Sequence, residues 1–137
     1  MRGQASIELI VVLAVALVVL AAMVFSGNEQ LRGLRASSEL AKANIATTSL
    51  SSAADSVSSQ GVGSREIIRI DLPESLSASG SFIKGKLVNI AVYTGDTVSD
   101  VNSKSAASLS GSLPKSGGVH LMRIESRQGF VEISEVG

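Results

Sequence analysis

Cysteine is absent from the 137 residues, which excludes a disulfide framework, a thiolate metal site and a thiol nucleophile. Aromatics amount to 3%, three Phe and one Tyr with no Trp, too few to supply stacking platforms for bases. Charge of either sign is not in excess: Lys+Arg and Asp+Glu both total 12. The balance also holds regionally, with four of each sign in residues 1–59 and eight of each in residues 60–137. No basic patch points to a nucleic-acid partner. Proline occurs twice, at Pro73 and Pro114, so nothing interrupts a helix over the first half of the chain. Histidine occurs once, at His120 in "GVHLMRI", a strand-like setting in which it reads as a structural side chain.

The remaining carboxylates do not form a recognisable site. Asp96 with Asp100, and Glu132 with Glu135, lack calcium-loop spacing. "SGSLPKSGG" lacks the lysine context and following helix of a phosphate loop. No Asn-x-Ser/Thr triplet occurs, while 24 serines leave O-linked modification open. No metal, no cofactor and no enzymatic activity is expected.

One long hydrophobic run is present. Leu9 to Phe25 contains no polar side chain, and 17 residues are just enough to cross a bilayer as a helix. The run exceeds the hydrophobic region of a secretory signal, and no small-x-small cleavage site follows it in "AAMVFSGNEQ". Arg2 precedes it while Arg32, Arg35 and Lys42 follow, so flanking charge does not set the orientation. Glu8 stands at its entrance. A carboxylate beside hydrocarbon costs free energy unless it finds a partner, and on one straight helix the amine several residues earlier is poorly placed. An amine on a neighbouring chain is better placed.

The segment "MRGQASIELIVV" resembles the class III signal peptide of archaeal type IV pilin-like proteins. Gln4, Ser6 and Glu8 match the family's Gln-x-Ser-x-Glu motif, and Val12 occupies the place where the family has Leu. The resemblance covers about the first 25 residues. It implies cleavage by a prepilin peptidase between Gly3 and Gln4 on the cytoplasmic side, with the hydrophobic helix retained. Glu8 would then pair with the new Gln4 amine of an adjacent subunit. The implied function is that of a prepilin, the precursor of a structural subunit of a surface filament serving adhesion. The implied partners are other copies of the chain, the peptidase, the assembly ATPase and its membrane platform. The membrane holds the chain before assembly, with its N-terminus cytoplasmic and its head extracellular; the filament is extracellular. A minor pilin, or an anchored surface binding module using the same export route, shares every one of these features and stays open. A plain single-span anchor leaves Glu8 unexplained, and an archaellin would have a larger head and a different N-terminal pattern.

The expected fold class is α+β, a long N-terminal helical spine followed by a small antiparallel β-sheet head. The division expected is a leader at 1–3, a helix at 4–59 and a β-rich head at 60–137. Residues about 4–27 would form the membrane or filament-core half of the helix, and about 28–59 its head-packing half. Leu40, Ala43, Thr47, Leu50, Ala54 and Val57 recur at three- and four-residue steps and form the seam that packs on the head. Gly27 and Gly33 are the points where the helix is weakest. Gly61 and Gly63 signal its end. Beyond them the period becomes two. "REIIRIDL" places Ile68, Ile70 and Leu72 on one face, and "GKLVNIAVYTGD" places Val88, Ile90 and Val92 opposite Leu87, Asn89, Ala91 and Tyr93. "DTVSDV", Ala106–Leu109, "GVHLMRIES" and "GFVEISE" are the other expected strands. The expected arrangement is an antiparallel meander with one face on the seam and the other in solvent.

Overall fold

The computed structural model describes residues 2–136, so Met1 of the expected leader lies outside the described residues. The chain is α+β: one helix, α1 (Arg2–Gln60), then seven strands. The helical backbone continues through Gly27 and Gly33, neither of which breaks it. It stops where backbone geometry changes hand, at Gly61 with φ 100° and Gly63 with φ 92°. Contacts divide the chain inside the helix, into units Met1–Arg35 and Ala36–Gly137.

In the second unit the strands form two sheets rather than one meander. The first contains β1 (Arg65–Leu72), β5 (Leu109–Gly111), β6 (Gly118–Arg127) and β7 (Phe130–Glu135), in the order β1-β6-β7-β5. The second is a meander of β2 (Leu76–Lys84), β3 (Leu87–Thr94) and β4 (Thr97–Lys104). All pairs are antiparallel except β5 with β7. The parallel pair is short, from Leu109↔Val131 to Gly111↔Ile133, and it exists because the chain crosses from β4 to bury Leu109. At Gly111 φ is 131°, and a side chain there would land on the Ile133 carbonyl. Only glycine accepts both conditions.

β2 has no counterpart among the expected strands. "LSASGSFIK" does not alternate, because the strand is interrupted: Ser77 pairs with Ala91 and Phe82 with Asn89, so five steps on β2 match two on β3. The excess residues fold across β3. Asn89 Nδ2 donates to the Gly80 carbonyl at 2.9 Å, Ser81 Oγ donates to the Ser77 carbonyl at 2.7 Å, and the Ala91 N–H donates to Ser81 Oγ at 3.0 Å. A Cβ on Gly80 would stand 2.7 Å from that of Ala91. The expected solvent face of β3 is thereby closed. Asn89 and Ala91 are as buried as Val88, Ile90 and Val92, and only Tyr93 is exposed.

One core joins the helix to both sheets. Ala43, Ala46, Leu50, Ala53, Ala54 and Val57 meet Ile70, Leu72, Met122, Ile124, Val131 and Ile133 of the first sheet and Val88, Ile90 and Val92 of the second. The helix contributes mostly alanine, which lets its backbone approach the strands closely. Polar contacts fix the register. Glu39 Oε2 accepts from the Ser75 N–H and hydroxyl, both at 3.0 Å. Asp55 Oδ1 accepts from the Ala106 N–H at 2.8 Å and from the Ser105 hydroxyl, and Ser51 and Ser103 hydroxyls meet at 2.7 Å.

Candidate functional site

The first unit consists of helix alone. Leu9, Ile10, Val11, Val12 and Leu13 are consecutive, and each is more than half exposed. Successive helical residues are about 100° apart, so five in a row cover the whole circumference. Exposure persists to Phe25, at 74%. The apolar stretch is about 26 Å long at 1.5 Å per residue, close to the thickness of bilayer hydrocarbon. α1 is the one helix among the described residues long and apolar enough to cross a membrane. An apolar surface on every side distinguishes this segment from the one-sided stripe of a globular helix.

Gln4, Glu8 and Val12 are spaced by four and share a helix face, with Ser6 to one side. All are exposed. Among the side chains described, none forms an ion pair or hydrogen bond with Glu8. Gly3 and Gln4 lie in the first helical turn, whose N–H groups have no helical acceptor, so this backbone opens at little cost. The seam residues belong to the other unit. Ala43, Thr47, Leu50, Ala54 and Val57 are buried, and Leu40 is half-buried at the edge of the core.

His120, Glu135, Glu132 and Asp100 of the head each have a structural partner. His120 Nδ1 lies 2.6 Å from Glu135 Oε1, and its Nε2 lies 3.0 Å from the Ser116 carbonyl and 3.3 Å from that of Gly117. Burial disfavours the imidazolium, but the Glu135 carboxylate and the two carbonyls outweigh it and raise the pKa above the ordinary value. Glu132 receives Arg127 Nε at 3.0 Å, on the opposite sheet face from Glu135. Asp100 receives Asn89 Nδ2 at 3.2 Å, and Asp96 sits in the β3–β4 turn. Among the described residues no three His, Asp or Glu side chains are grouped to hold a metal ion.

No family model, curated protein or solved structure matches the chain. The reading of its function therefore rests on its own residues. The structure adds two head-fixing residues that sequence patterns do not single out, Glu39 and Asp55. Their partners include backbone N–H groups of distant loops, for which no spacing rule exists.

Proposed function

We propose that the chain is the precursor of a filament subunit of the archaeal type IV pilus kind, whose activity is assembly and not catalysis. The observation that carries this reading is the all-round apolar helix surface with a solitary carboxylate, Glu8, at its start. A membrane accepts the apolar surface and leaves Glu8 to water and headgroups at its boundary, with no fixed partner. A bundle of identical helices accepts both, provided that each subunit contributes a positive charge at the right height. Cleavage after Gly3 creates that charge as the amine of Gln4. A prepilin peptidase would perform the cut, and an assembly ATPase with its membrane platform would lift the subunit from the membrane. The apolar area stays out of water throughout, so little hydrophobic free energy opposes the transfer. The head would remain on the extracellular side and line the outside of an adhesive filament.

The test is mass spectrometry of the subunit in sheared cell-surface fibres. An N-terminus at Gln4 is expected. Gly3→Leu should leave an uncut precursor in the membrane, because the peptidase must accommodate a small residue beside the bond it cuts. Normal processing of Gly3→Leu at Gln4 would overturn the assignment.

A further inference from the structure

Four strands lie at sheet edges among the described residues: β1 and β5 in the first sheet, β2 and β4 in the second; β5 meets the β2–β3 turn, where the Leu109 N–H donates to the Gly85 carbonyl. Edges invite pairing with other chains, and proteins normally blunt them. β5 has three residues and β2 carries the bulge at Ser77–Phe82. β4 exposes Asp100, Asn102 and Lys104. β1 also exposes charged side chains, Arg65, Glu66, Arg69 and Asp71, but it is neither short nor bulged. It is eight residues long, holds an unbroken register against β6, and contains no Pro, Gly or Lys and three Ile.

Its free backbone groups can be located. The Ser126 N–H donates to the Ser64 carbonyl, and Val136 N–H donates to the Leu121 carbonyl on the other side of β6. Even-numbered residues of β1 therefore spend their backbone groups on β6, and Arg65, Ile67, Arg69 and Asp71 present theirs at the open edge. Beside this edge runs a trough formed by two adjoining clefts of ≈ 270 and ≈ 350 Å³. Its helix wall is mostly small, with Ala46, Ser49, Ser52, Ala53 and Ser56, and the larger Lys42 and Ile45 stand only at the Asp71 end.

We propose that β1 pairs antiparallel with β1 of a second copy, in the register that sets Ile68 opposite itself. Charge selects this register. It opposes Arg65 to Asp71 twice, and Ile67 to Arg69 twice, and it joins all four outward-facing backbone positions. Sliding by one pleat in one direction opposes Arg69 to Arg69, and in the other Arg65 to Arg69; like charges directly opposite destabilise a pair. The next register that matches Arg with Asp, Arg69 to Asp71, spans five residues and runs into Pro73, which has no N–H to donate. Arg65 and Asp71 are 54% and 52% exposed and hold only surface ion pairs, Arg65 with Glu125 at 3.5 Å and Asp71 with Lys42 at 3.8 Å, which a cross-strand pair would share.

The pairing has a direction. Lys42 lies beside Asp71, and Ser56 lines the cleft that Glu66 lines, so the helix runs antiparallel to β1. The two-fold axis that relates paired strands then also reverses the helix. The two helices lie antiparallel on one face of an eight-stranded sheet, and the two chains enter their heads from opposite ends. Subunits of one polar filament all point the same way and are not related by such an axis. Where the chains are filament subunits, as proposed above, the contact joins heads of two opposed filaments or two opposed cell surfaces, which is homophilic adhesion.

The head contact is tested without cleavage or fibre formation, so its failure is separable from failure of the filament reading. The full-length chain has no cysteine, and Ile68→Cys introduces a unique thiol at the two-fold axis. Oxidation of this variant in detergent micelles should give a covalent dimer. Ile67→Cys is the control: Ile67 is 53% exposed but faces Arg69 in this register, so random collision favours it and the proposed pairing does not. The dimer yield should be at least several-fold higher for Ile68→Cys. Adding Asp71→Arg should reduce it to background, and Arg65→Asp in the same chain should restore it. A cysteine-free measurement guards against a folding defect in Ile68→Cys. Phosphatidylcholine vesicles carrying the wild-type chain should cluster by light scattering, Asp71→Arg should abolish clustering, and Arg65→Asp with Asp71→Arg should recover it. Equal yields from Ile67→Cys and Ile68→Cys, or clustering indifferent to Asp71→Arg, would overturn the proposal. A chain that neither crosslinks nor clusters would overturn it equally and would leave the edge to a different partner.

Discussion

His120 shows how one side chain closes a domain. Both ring nitrogens face acceptors, Glu135 on one side and the carbonyls of Ser116 and Gly117 on the other. An imidazolium can donate to both sides, whereas a neutral ring can donate to only one. The bonds tie the β5–β6 connection to β6 and β7, and Gly117 of that connection packs so closely on the β1–β2 turn that a Cβ would stand 2.6 Å from the Pro73 carbonyl oxygen. A histidine whose folded pKa is raised adds stability fully present below its unfolded pKa, near 6.5, and loses it as pH rises through the higher folded value. Melting temperature should therefore fall as pH increases from about 6 to about 8. His120→Gln should flatten that dependence, and an unchanged profile in the variant would assign the pH effect elsewhere. Gly111→Ala belongs to the same scale. The added methyl collides with the Ile133 carbonyl in a conformation that L-residues avoid, so β5 should detach, read as faster amide exchange at Val131 and Ile133.

At the scale of elements, the second half of α1 is held by its small apolar face. Leu50 is the largest helix side chain wholly excluded from water, and Leu50→Ala should cost about 2–5 kcal/mol. Ile45 lies on the same helix but is 66% exposed, and Ile45→Ala should change stability by less than about 0.5 kcal/mol. Thermal melts of the two variants, followed on the strand signal, distinguish a helix packed on the head from one merely tethered to it. Equal melting temperatures would contradict the packing described. The helix and its buried face were legible because a 3.6-residue period over many turns accumulates signal, and β1, β3, β4, β6 and β7 because alternation with flanking turns does the same. β2 was not legible, since the bulge that defines it erases the alternation by which strands are recognised. Burial of both faces of β3 was hidden for the same reason: the residues that cover Asn89 and Ala91 are Gly80 and Ser81, which carry no hydrophobic signal. The strand expected at Ala106–Leu109 meets β5 (Leu109–Gly111) only at Leu109, its single buried side chain, and no pattern announces the parallel direction.

At the scale of the whole molecule, the question is what a charge at the mouth of an apolar helix does. In the proposed membrane-held precursor Glu8 would lie at the headgroup boundary, where water and polar lipid would satisfy it. In a bundle of identical helices the apolar surface alone sets no height, because one turn of Leu, Val and Ile resembles the next. In the proposed filament a single ion pair between Glu8 and the Gln4 amine of a neighbour would set that height, since every other position would leave a buried charge unpaired, which is strongly destabilising. Glu8→Gln keeps the shape and removes the charge. Insertion into the membrane and cleavage after Gly3 should both proceed, because neither uses the ion pair. Assembly should fail, with the ratio of sheared surface fibre to membrane-held mature subunit falling by about tenfold or more relative to wild type. Two measurements on the same cells, an N-terminal mass and a fibre yield, separate the two steps. Mature subunit with normal fibre yield would remove register setting as the role of Glu8, while uncut precursor would move that role to recognition by the peptidase.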